Sequence, residues 1–208
     1  MAPPPREDAV TDAAAGRSQA KQDRRALLLR EAARMYALHG FHGVPMEDLG
    51  AACGISGPAV YRHFPGKSAV LAALLGEASR HLLDGGRAAA AAGGGAAIVL
   101  RRLVSFHTDF ALGHPDVIRV QERDLAALSP ADGQLVRGLQ RAYLGVWAEQ
   151  LVRLRPGTEP TEAYFQTQAV FGLINSTPHS VHRGPADPAL RKRLLEGMAW
   201  AALCAPVR

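Results

Sequence analysis

Hydrophobic residues recur at helical spacing along most of this sequence, and no segment shows the apolar–polar alternation of a half-buried strand. A stripe at i, i+4, i+7 and i+8 predicts an amphipathic helix over residues 21–39, and its members are Leu28, Ala32, Met35 and Tyr36. Beyond residue 67 the pattern predicts six further helices, most of them bounded by proline or glycine, at about 68–92, 97–112, 115–128, 130–155, 160–181 and 188–204. The sequence therefore predicts an all-α fold.

Residues 46–67, MEDLGAACGISGPAVYRHFPGK, predict two short helices joined by a tight turn. The inward face of the first helix has small apolar residues at helical spacing, namely Met46, Leu49, Gly50 and Cys53. Gly54 can adopt the left-handed conformation that ends such a helix. Glycine at position 50 lowers helix propensity by about 1 kcal/mol relative to alanine. Cys53 is expected to pack as a small apolar side chain, with a redox role as the less favoured alternative.

The second of these helices has a start signal and two distinct faces. Ser56 can cap it, and Pro58 suits its first turn because the missing N–H has no helical partner there. Val60 and Phe64, four residues apart, form an inward stripe. The opposite face is polar and carries Tyr61, Arg62 and His63. Two short helices with a polar outer face on the second are typical of a helix-turn-helix that enters the DNA major groove.

Residues 28–75 resemble the DNA-binding domain of the TetR family of bacterial transcriptional regulators. The shared features are the helix lengths, the Gly40–Phe41 turn, Gly54–Ile55–Ser56, and Tyr61–Arg62–His63–Phe64 followed by Lys67. The resemblance implies a three-helix helix-turn-helix head joined by a long helix to a helical regulatory and dimerisation domain. We accordingly expect a DNA-binding domain at 21–67 and a ligand-sensing and dimerisation domain at 68–208. The Pro-, Ala- and charge-rich composition of residues 1–20 predicts a disordered N-terminal arm.

The resemblance also implies roles for individual residues of the second helix. Tyr61, His63 and Lys67 match positions that contact phosphates in the family, and Ser56 can add a hydroxyl contact. Candidates for contact with base edges are Gly57, Pro58, Ala59 and Arg62. An arginine at this position can donate two hydrogen bonds to one guanine, worth about 1–3 kcal/mol of discrimination. The alternative for the tyrosine and the histidine is ordinary packing on the helix surface.

Three parts of the motif depart from the family pattern, and the first is Gly50, which replaces the usual alanine. Val44 and Pro45 stand where a Thr or Ser commonly caps the first motif helix and touches a phosphate. Gly57 and Pro58 stand where a Lys and a Gly are frequent, so one cation is missing from the reading face. These departures keep a second hypothesis open, in which the chain is a helical ligand-binding protein with weakened or lost DNA binding.

Charge and composition favour the first hypothesis and exclude some others. The 208-residue chain has a net charge of +5, and residues 17–67 supply +4 of it through eight Lys/Arg against four Asp/Glu. A concentrated positive charge suits an anionic partner such as double-stranded operator DNA. No catalytic triad, phosphate loop or metal signature is present, so neither an enzyme nor a cofactor is expected. With two cysteines, no long apolar run and no signal-like N-terminus, we expect a cytoplasmic protein without a membrane partner.

The C-terminal two thirds are expected to dimerise and to sense a small molecule. The predicted helices at 160–181 and 188–204 carry more apolar residues than a covering helix needs, which favours a homodimer; closure of the monomer core is the alternative. The resemblance implies that an effector inside this region changes the spacing of two heads. An apolar or amphipathic ligand is expected, and the candidate lining residues, each equally explicable as core, are Phe106, His107, Phe110, Tyr143, Trp147, Phe171 and Asn175. His179 and His182 have metal-compatible spacing but no nearby partners, so no metal site is predicted.

Overall fold

The computed structural model describes residues 7–176 and 187–205 of the chain. Within these ranges the chain forms nine α-helices and one short 3-10 turn, with no strand. The helices are α1 (Glu7–His39), α2 (Met46–Ala52), α3 (Gly57–Val60), α4 (Lys67–Ala91), α5 (Ala96–Gly113), α6 (Pro115–Asp124), α7 (Pro130–Leu154), α8 (Pro160–Asn175) and α9 (Pro188–Cys204). The predicted all-α fold with a helix-turn-helix head is confirmed.

Most helix boundaries agree with the sequence pattern. Prolines open α6, α7, α8 and α9 as predicted, because the first helical turn has no partner for the N–H that proline lacks. Helix α6 is shorter than predicted, since a 3-10 turn at Leu125–Ala127 replaces its last turn. The predicted end of α8 at residue 181, with His179 and His182, lies outside the described residues.

The first helix is longer than its apolar stripe. It ends at His39 as predicted, but it begins at Glu7, whereas the sequence pattern predicts disorder up to residue 20. Residues 7–20 are rich in alanine and contain no proline, so their helix propensity is high although they carry no apolar stripe that would reveal a helix. The N-terminal arm at 1–20 therefore stays a prediction; residues 7–20 are assigned to α1, and residues 1–6 lie outside the described ranges.

Two clusters of buried side chains lie along α4. The head cluster combines α1, α2 and α3 with the first turns of α4, where Leu71 and Leu75 are fully buried. The body cluster begins at Leu82 and Leu83 of the same helix and includes residues of α5, α7, α8 and α9. One continuous helix thus belongs to both cores, so a shift of α4 in the body also acts on the head.

Arg123 joins the end of α6 to the end of α1. Its guanidinium donates to the carbonyl oxygens of Tyr36 and Ala37, the latter at 3.3 Å, which are among the last carbonyls of α1. The buried carboxylate of Asp124 accepts from Nε and Nη2 of the same arginine at 3.1 and 3.0 Å. Positive charge at a helix C-terminus is favourable, so this contact fixes α1 against the body.

The body core contains an imidazole inside an aromatic cluster. The His107 ring is stacked on Phe171 with 4.4 Å between centroids. Its Nε2 lies 3.1 Å from the Oδ1 of Asn175, and its Nδ1 lies 3.4 Å from the hydroxyl of Tyr143. A neutral ring that donates through Nε2 and accepts through Nδ1 satisfies both contacts. Burial outweighs the Asn175 hydrogen bond and lowers the pKa of His107 to about 4.

Gly50 is required by close packing within the head. A Cβ at this position would lie 2.9 Å from the carbonyl oxygen of Ile55 and 3.0 Å from Cγ2 of Val60. We therefore expect Gly50→Ala to lower the free energy of unfolding, because overpacking of about 1–3 kcal/mol exceeds the roughly 1 kcal/mol of helix propensity gained. Urea unfolding followed by circular dichroism measures the change. The control is Gly138→Ala in α7, where a Cβ meets open space; equal stabilisation of both variants would contradict the account.

The buried imidazole makes stability depend on pH. His107 has a pKa of about 4 when folded and an ordinary value of 6.5, so the unfolded chain binds its proton first as the pH falls. The stability that the neutral, buried His107 contributes is fully present above pH 6.5 and is lost as the pH falls towards 4. We expect this residue to account for about 2 kcal/mol of the drop in unfolding free energy between about pH 7 and pH 5. His107→Gln should reduce that drop; a pH profile of the variant identical to that of the native protein would refute this.

Candidate nucleic-acid interface

The recognition segment is a very short helix held by two buried side chains. Helix α3 has only four residues, and i→i+3 hydrogen bonds from Arg62 N to Ala59 O and from His63 N to Val60 O extend it by one tighter turn. Val60 and Phe64 are 0% and 3% exposed, so the predicted inward stripe is confirmed. Tyr61 is 50% exposed, and its neighbour Arg62 is also exposed. Tyr61 and Arg62 of the predicted polar face therefore point to solvent, whereas His63 is half-buried.

Backbone geometry in the turn explains how α3 is placed. Gly54 has φ +65, as the left-handed end of α2 requires. The N–H of Ile55 donates to the carbonyl of Gly50 at 3.0 Å, which closes the turn against α2. Gly50 has no side chain to block this approach. Cys53 is 6% exposed and packs in the head core, as predicted.

Ser56 occupies the N-cap position of α3 but makes no side-chain cap hydrogen bond. Pro58 removes one of the N–H groups that a capping hydroxyl normally binds. The N–H of Ala59 already donates to the backbone oxygen of Ser56 at 2.9 Å. The predicted side-chain cap is therefore wrong, whereas Pro58 does lie in the first turn as predicted. The Ser56 residue is exposed beside the recognition turn.

Lys67 lies at the start of α4 and contacts the turn between α1 and α2. Its ammonium donates to the carbonyl oxygen of His42 at 3.1 Å and lies 4.9 Å from the centre of the Phe41 ring. These contacts fix the side chain, and an ammonium has three donors, so further acceptors can bind. The structure thus places the lysine, for which a phosphate contact is predicted, at the junction of the head's first turn and its last helix.

The start of α2 lacks the polar cap that is common at this position. Pro45 is the N-cap residue and makes no side-chain cap hydrogen bond. Val44 is 2% exposed and belongs to the head core. Glu47 and Asp48 in the first turn partly offset this, because acidic side chains are favourable at a helix N-terminus. The two residues that depart from the family pattern therefore present no hydroxyl to solvent.

A groove lies between α1 and α3 on the surface of the head. We call it the α1–α3 groove, and its lining residues are Ala20, Lys21, Arg24, Ile55, Ala59, Arg62 and His63. Three of them are cationic and none is acidic. Nη1 of Arg24 donates to the carbonyl oxygen of Cys53 at 3.2 Å, so this side chain lies across the end of α2. The groove is continuous with the recognition segment through Ala59 and Arg62.

His63 has a strongly positive environment. Burial lowers the pKa of His63, and repulsion from the neighbouring cations lowers it further; in order of size these are Lys21, Arg24, Arg62 and Arg25. Nδ1 of its ring is buried and has no hydrogen-bond partner within the described part of the chain. The surroundings of this ring therefore disfavour its protonation and favour an anion nearby.

Three of the eight residues predicted to bind DNA line this groove, namely Ala59, Arg62 and His63. The sequence pattern did not identify Lys21 and Arg24, which precede the recognition segment by more than thirty positions. Both were visible only as part of the basic excess of residues 17–67. Their approach to Arg62 depends on how α1 crosses α3, and a single sequence carries no direct signal for that crossing.

The seven residues predicted to bind a ligand fall into two groups in the body. The first group surrounds the buried imidazole described above and consists of His107, Tyr143, Trp147, Phe171 and Asn175. Phe106 and Phe110 instead face His81, with ring centroids 5.6 and 6.0 Å from it. Phe110 also lines a cleft between head and body, together with Leu29 of α1 and Val117 of α6. The set is therefore not one continuous lining.

Neither a membrane span nor a metal cluster occurs among residues 7–176 and 187–205. No helix there is both long and apolar enough to cross a membrane. No group of three or more His, Cys, Asp or Glu side chains in these ranges lies close enough together to hold a metal ion.

Known proteins resemble this chain in sequence over the head and in fold over most of its length. Residues 28–74 match the family model described as bacterial regulatory proteins, tetR family. No curated protein matches the sequence. Among solved structures, a TetR-family transcriptional regulator from Bordetella parapertussis has a TM-score of 0.77 at 24% identity, over 86% of this chain and 93% of that one.

Two other solved structures show the same fold. The TetR-family transcriptional regulator PfmR from Thermus thermophilus has a TM-score of 0.74 at 20% identity, over 87% of this chain and 99% of that one. AibR, solved in complex with isovaleryl coenzyme A and operator DNA, has a TM-score of 0.71 at 16% identity, over 88% of this chain and 100% of that one. Residues 28–74 of this chain therefore match the tetR family of bacterial regulatory proteins, and the chain has the fold of solved TetR-family transcriptional regulators over most of its length.

Proposed function

We propose that this protein is a sequence-specific transcriptional repressor that leaves a palindromic operator when a small-molecule effector binds its body. The observation that carries the proposal is the recognition segment, in which buried Val60 and Phe64 hold Tyr61 and Arg62 outward. Because these two outward side chains do not pack in the core, they are available to contact DNA. A regulator of this kind acts in the cytoplasm, where its operator lies.

Residue chemistry divides the recognition segment into a gripping part and a reading part. Hydroxyl, imidazole and ammonium donors bind phosphates, and the residues to which we assign that role are Ser56, Tyr61, His63 and Lys67. Arg62 reads a base edge by bidentate donation, and guanine is its preferred partner. The remaining residues of α3 can offer only backbone or apolar contacts in the major groove, and these are Gly57, Pro58 and Ala59.

A homodimer supplies the second head that a palindrome requires. Large apolar side chains on α8 and α9 remain exposed in the monomer: Phe165 at 73%, Met198 at 48%, Leu194 at 46% and Leu190 at 36%. The opposite faces of these helices already close the body core through Ala163, Val170, Ile174, Leu195 and Ala199. Closure of the monomer core therefore does not explain why these four apolar side chains are exposed. Self-association through α8 and α9 explains it, because it would cover them. Two heads double the phosphate contacts that a single small head can make.

The effector is proposed to be an apolar or amphipathic molecule that binds within the body. The interior there is aromatic, with His107, Asn175 and Tyr143 as polar groups within it. AibR, which has the same fold, was solved with an acyl coenzyme A ligand. Any ligand that separates Tyr143 or Phe106 from α4 acts on the connecting helix directly, because both rings pack against the Gly85–Gly86 segment of α4. Such a ligand changes the distance between the two heads of the dimer only if it binds one conformation of the protein more tightly than the other.

A ligand-binding protein with weakened DNA affinity is the second candidate. It is favoured by the absence of a capping or phosphate-binding hydroxyl at Val44 and Pro45 and by the absence of a cationic side chain at Gly57. The two candidates predict opposite outcomes in a gel shift with the intergenic DNA upstream of the chain's own gene, since only the repressor forms a complex that unlabelled non-specific DNA fails to displace.

The reading and gripping roles can be separated by substitution. We expect Arg62→Ala and Tyr61→Ala both to weaken operator binding, but only Arg62→Ala to relax base preference, by about 1–3 kcal/mol at one base pair. Binding to a panel of single-base operator variants measures this. Arg87→Ala, an exposed arginine of α4 outside the head, is the charge-matched control. Unchanged operator affinity in both head variants would rule out the proposed reading segment.

The dimer is tested by mass in solution. Size-exclusion chromatography with light scattering should give twice the chain mass of 22.1 kDa for the native protein. Phe165→Glu with Met198→Glu should give the monomer mass, because two charges would be buried at the interface without partners. Leu135→Glu, at a residue of α7 that is 52% exposed, should leave the dimer intact. A native protein of monomer mass would overturn the dimer.

A further inference from the structure

We propose that the α1–α3 groove is an anion site that holds one backbone phosphate of the operator, with Lys21 and Arg24 of α1 as its main donors. This inference rests on the proposed DNA-binding function. It extends the DNA interface to the first helix, to two residues that the helix-turn-helix motif does not contain.

The groove has the chemistry of a phosphate site. Lys21, Arg24 and Arg62 line it from two helices, and its apolar lining consists of Ala20, Ile55 and Ala59. That lining contains no carboxylate, so no acid within the groove neutralises the cations there. By contrast, the cleft between head and body contains Glu77 and Asp116 among its lining residues. Cationic side chains that are close together repel one another when no acidic side chain lies between them. A bound anion relieves that repulsion.

Two side chains of the groove are already oriented. Arg24 donates from Nη1 to the carbonyl oxygen of Cys53 at 3.2 Å, and a guanidinium has five N–H donors, so several remain for an oxygen ligand. His63 has a buried Nδ1 with no partner among the described residues, and four neighbouring cations disfavour its protonation. An anion in the groove would offset that repulsion and so raise the pKa of His63.

The position of the groove identifies the phosphate as one of DNA. Ala59 and Arg62 belong both to the groove and to the proposed reading face, so an anion bound there lies beside the base pairs that Arg62 contacts. Lys21 and Arg24 of α1 therefore add a phosphate contact to those of the recognition segment.

Salt dependence of DNA binding tests the proposal. The probe is the duplex that the full-length protein selects from a random pool, and the dissociation constant is measured by fluorescence anisotropy at several KCl concentrations. Each neutralised phosphate adds about 0.9 to the slope of log K against log salt. We expect Lys21→Ala with Arg24→Gln to weaken binding by about tenfold or more, to reduce that slope by about 1, and to leave base preference unchanged.

Controls separate this effect from loss of charge or fold. Arg30→Ala with Arg34→Ala removes the same charge from exposed positions of the same helix outside the groove, and its slope should match the native protein. Arg24 supports the end of α2, so Lys21→Ala alone provides a variant that leaves this hydrogen bond intact. It should show the same direction of change with native thermal stability.

Each remaining outcome has a definite meaning. Equal slopes for the groove variant and its control would overturn the inference while leaving the proposed function intact. A native protein that selects no duplex would overturn both. If inorganic phosphate raised the melting temperature of the native protein but not of the Lys21→Ala variant, and the DNA slopes were equal, the groove would be a metabolite site and the proposal would be wrong.

Discussion

The burial of Val60 and Phe64 is the constraint on which the head depends. A four-residue helix has almost no stability of its own, because the free-energy cost of forming the first helical turn exceeds the stabilisation from the hydrogen bonds of that turn. Helix α3 therefore exists where these two side chains enter the core formed by α1, α2 and α4. Gly50 permits the close approach, and Gly54 at φ +65 sets the direction of the chain. The outward position of Tyr61 and Arg62 follows from this burial.

The same core connects the head with the body. Helix α4 contributes Leu71 to the head cluster and Leu82 to the body cluster, and Arg123 of α6 holds the carboxyl end of α1. The body can thus act on the head through two separate contacts, one along α4 and one through α6. The Gly85–Gly86 segment gives α4 a weak helical stretch where Phe106 and Tyr143 pack against it. A body ligand that moves these rings meets the connecting helix where it bends most easily.

Features encoded locally could be predicted from the sequence. Prolines marked the helix starts, Gly54 marked the turn, and the four-residue spacing of Val60 and Phe64 gave the inward face of α3. Features that depend on distant contacts could not. The sequence shows the helix-propensity cost of glycine at position 50, but not the close approach of the Ile55 carbonyl oxygen that requires it. The predicted Ser56 side-chain cap is absent because the N–H of Ala59 already donates to the backbone oxygen of Ser56. The proximity of Lys21 and Arg24 to Arg62 likewise depends on the crossing of α1 and α3.

We propose that a two-fold dimer places two such heads on one operator. Hydroxyl-radical footprinting of the full-length protein on the intergenic DNA upstream of its gene tests this most directly. The account predicts two equivalent protected patches related by a dyad, with centres about one helical turn, or a multiple of it, apart. A single protected patch without a symmetric counterpart, or uniform protection that does not depend on sequence, would contradict it.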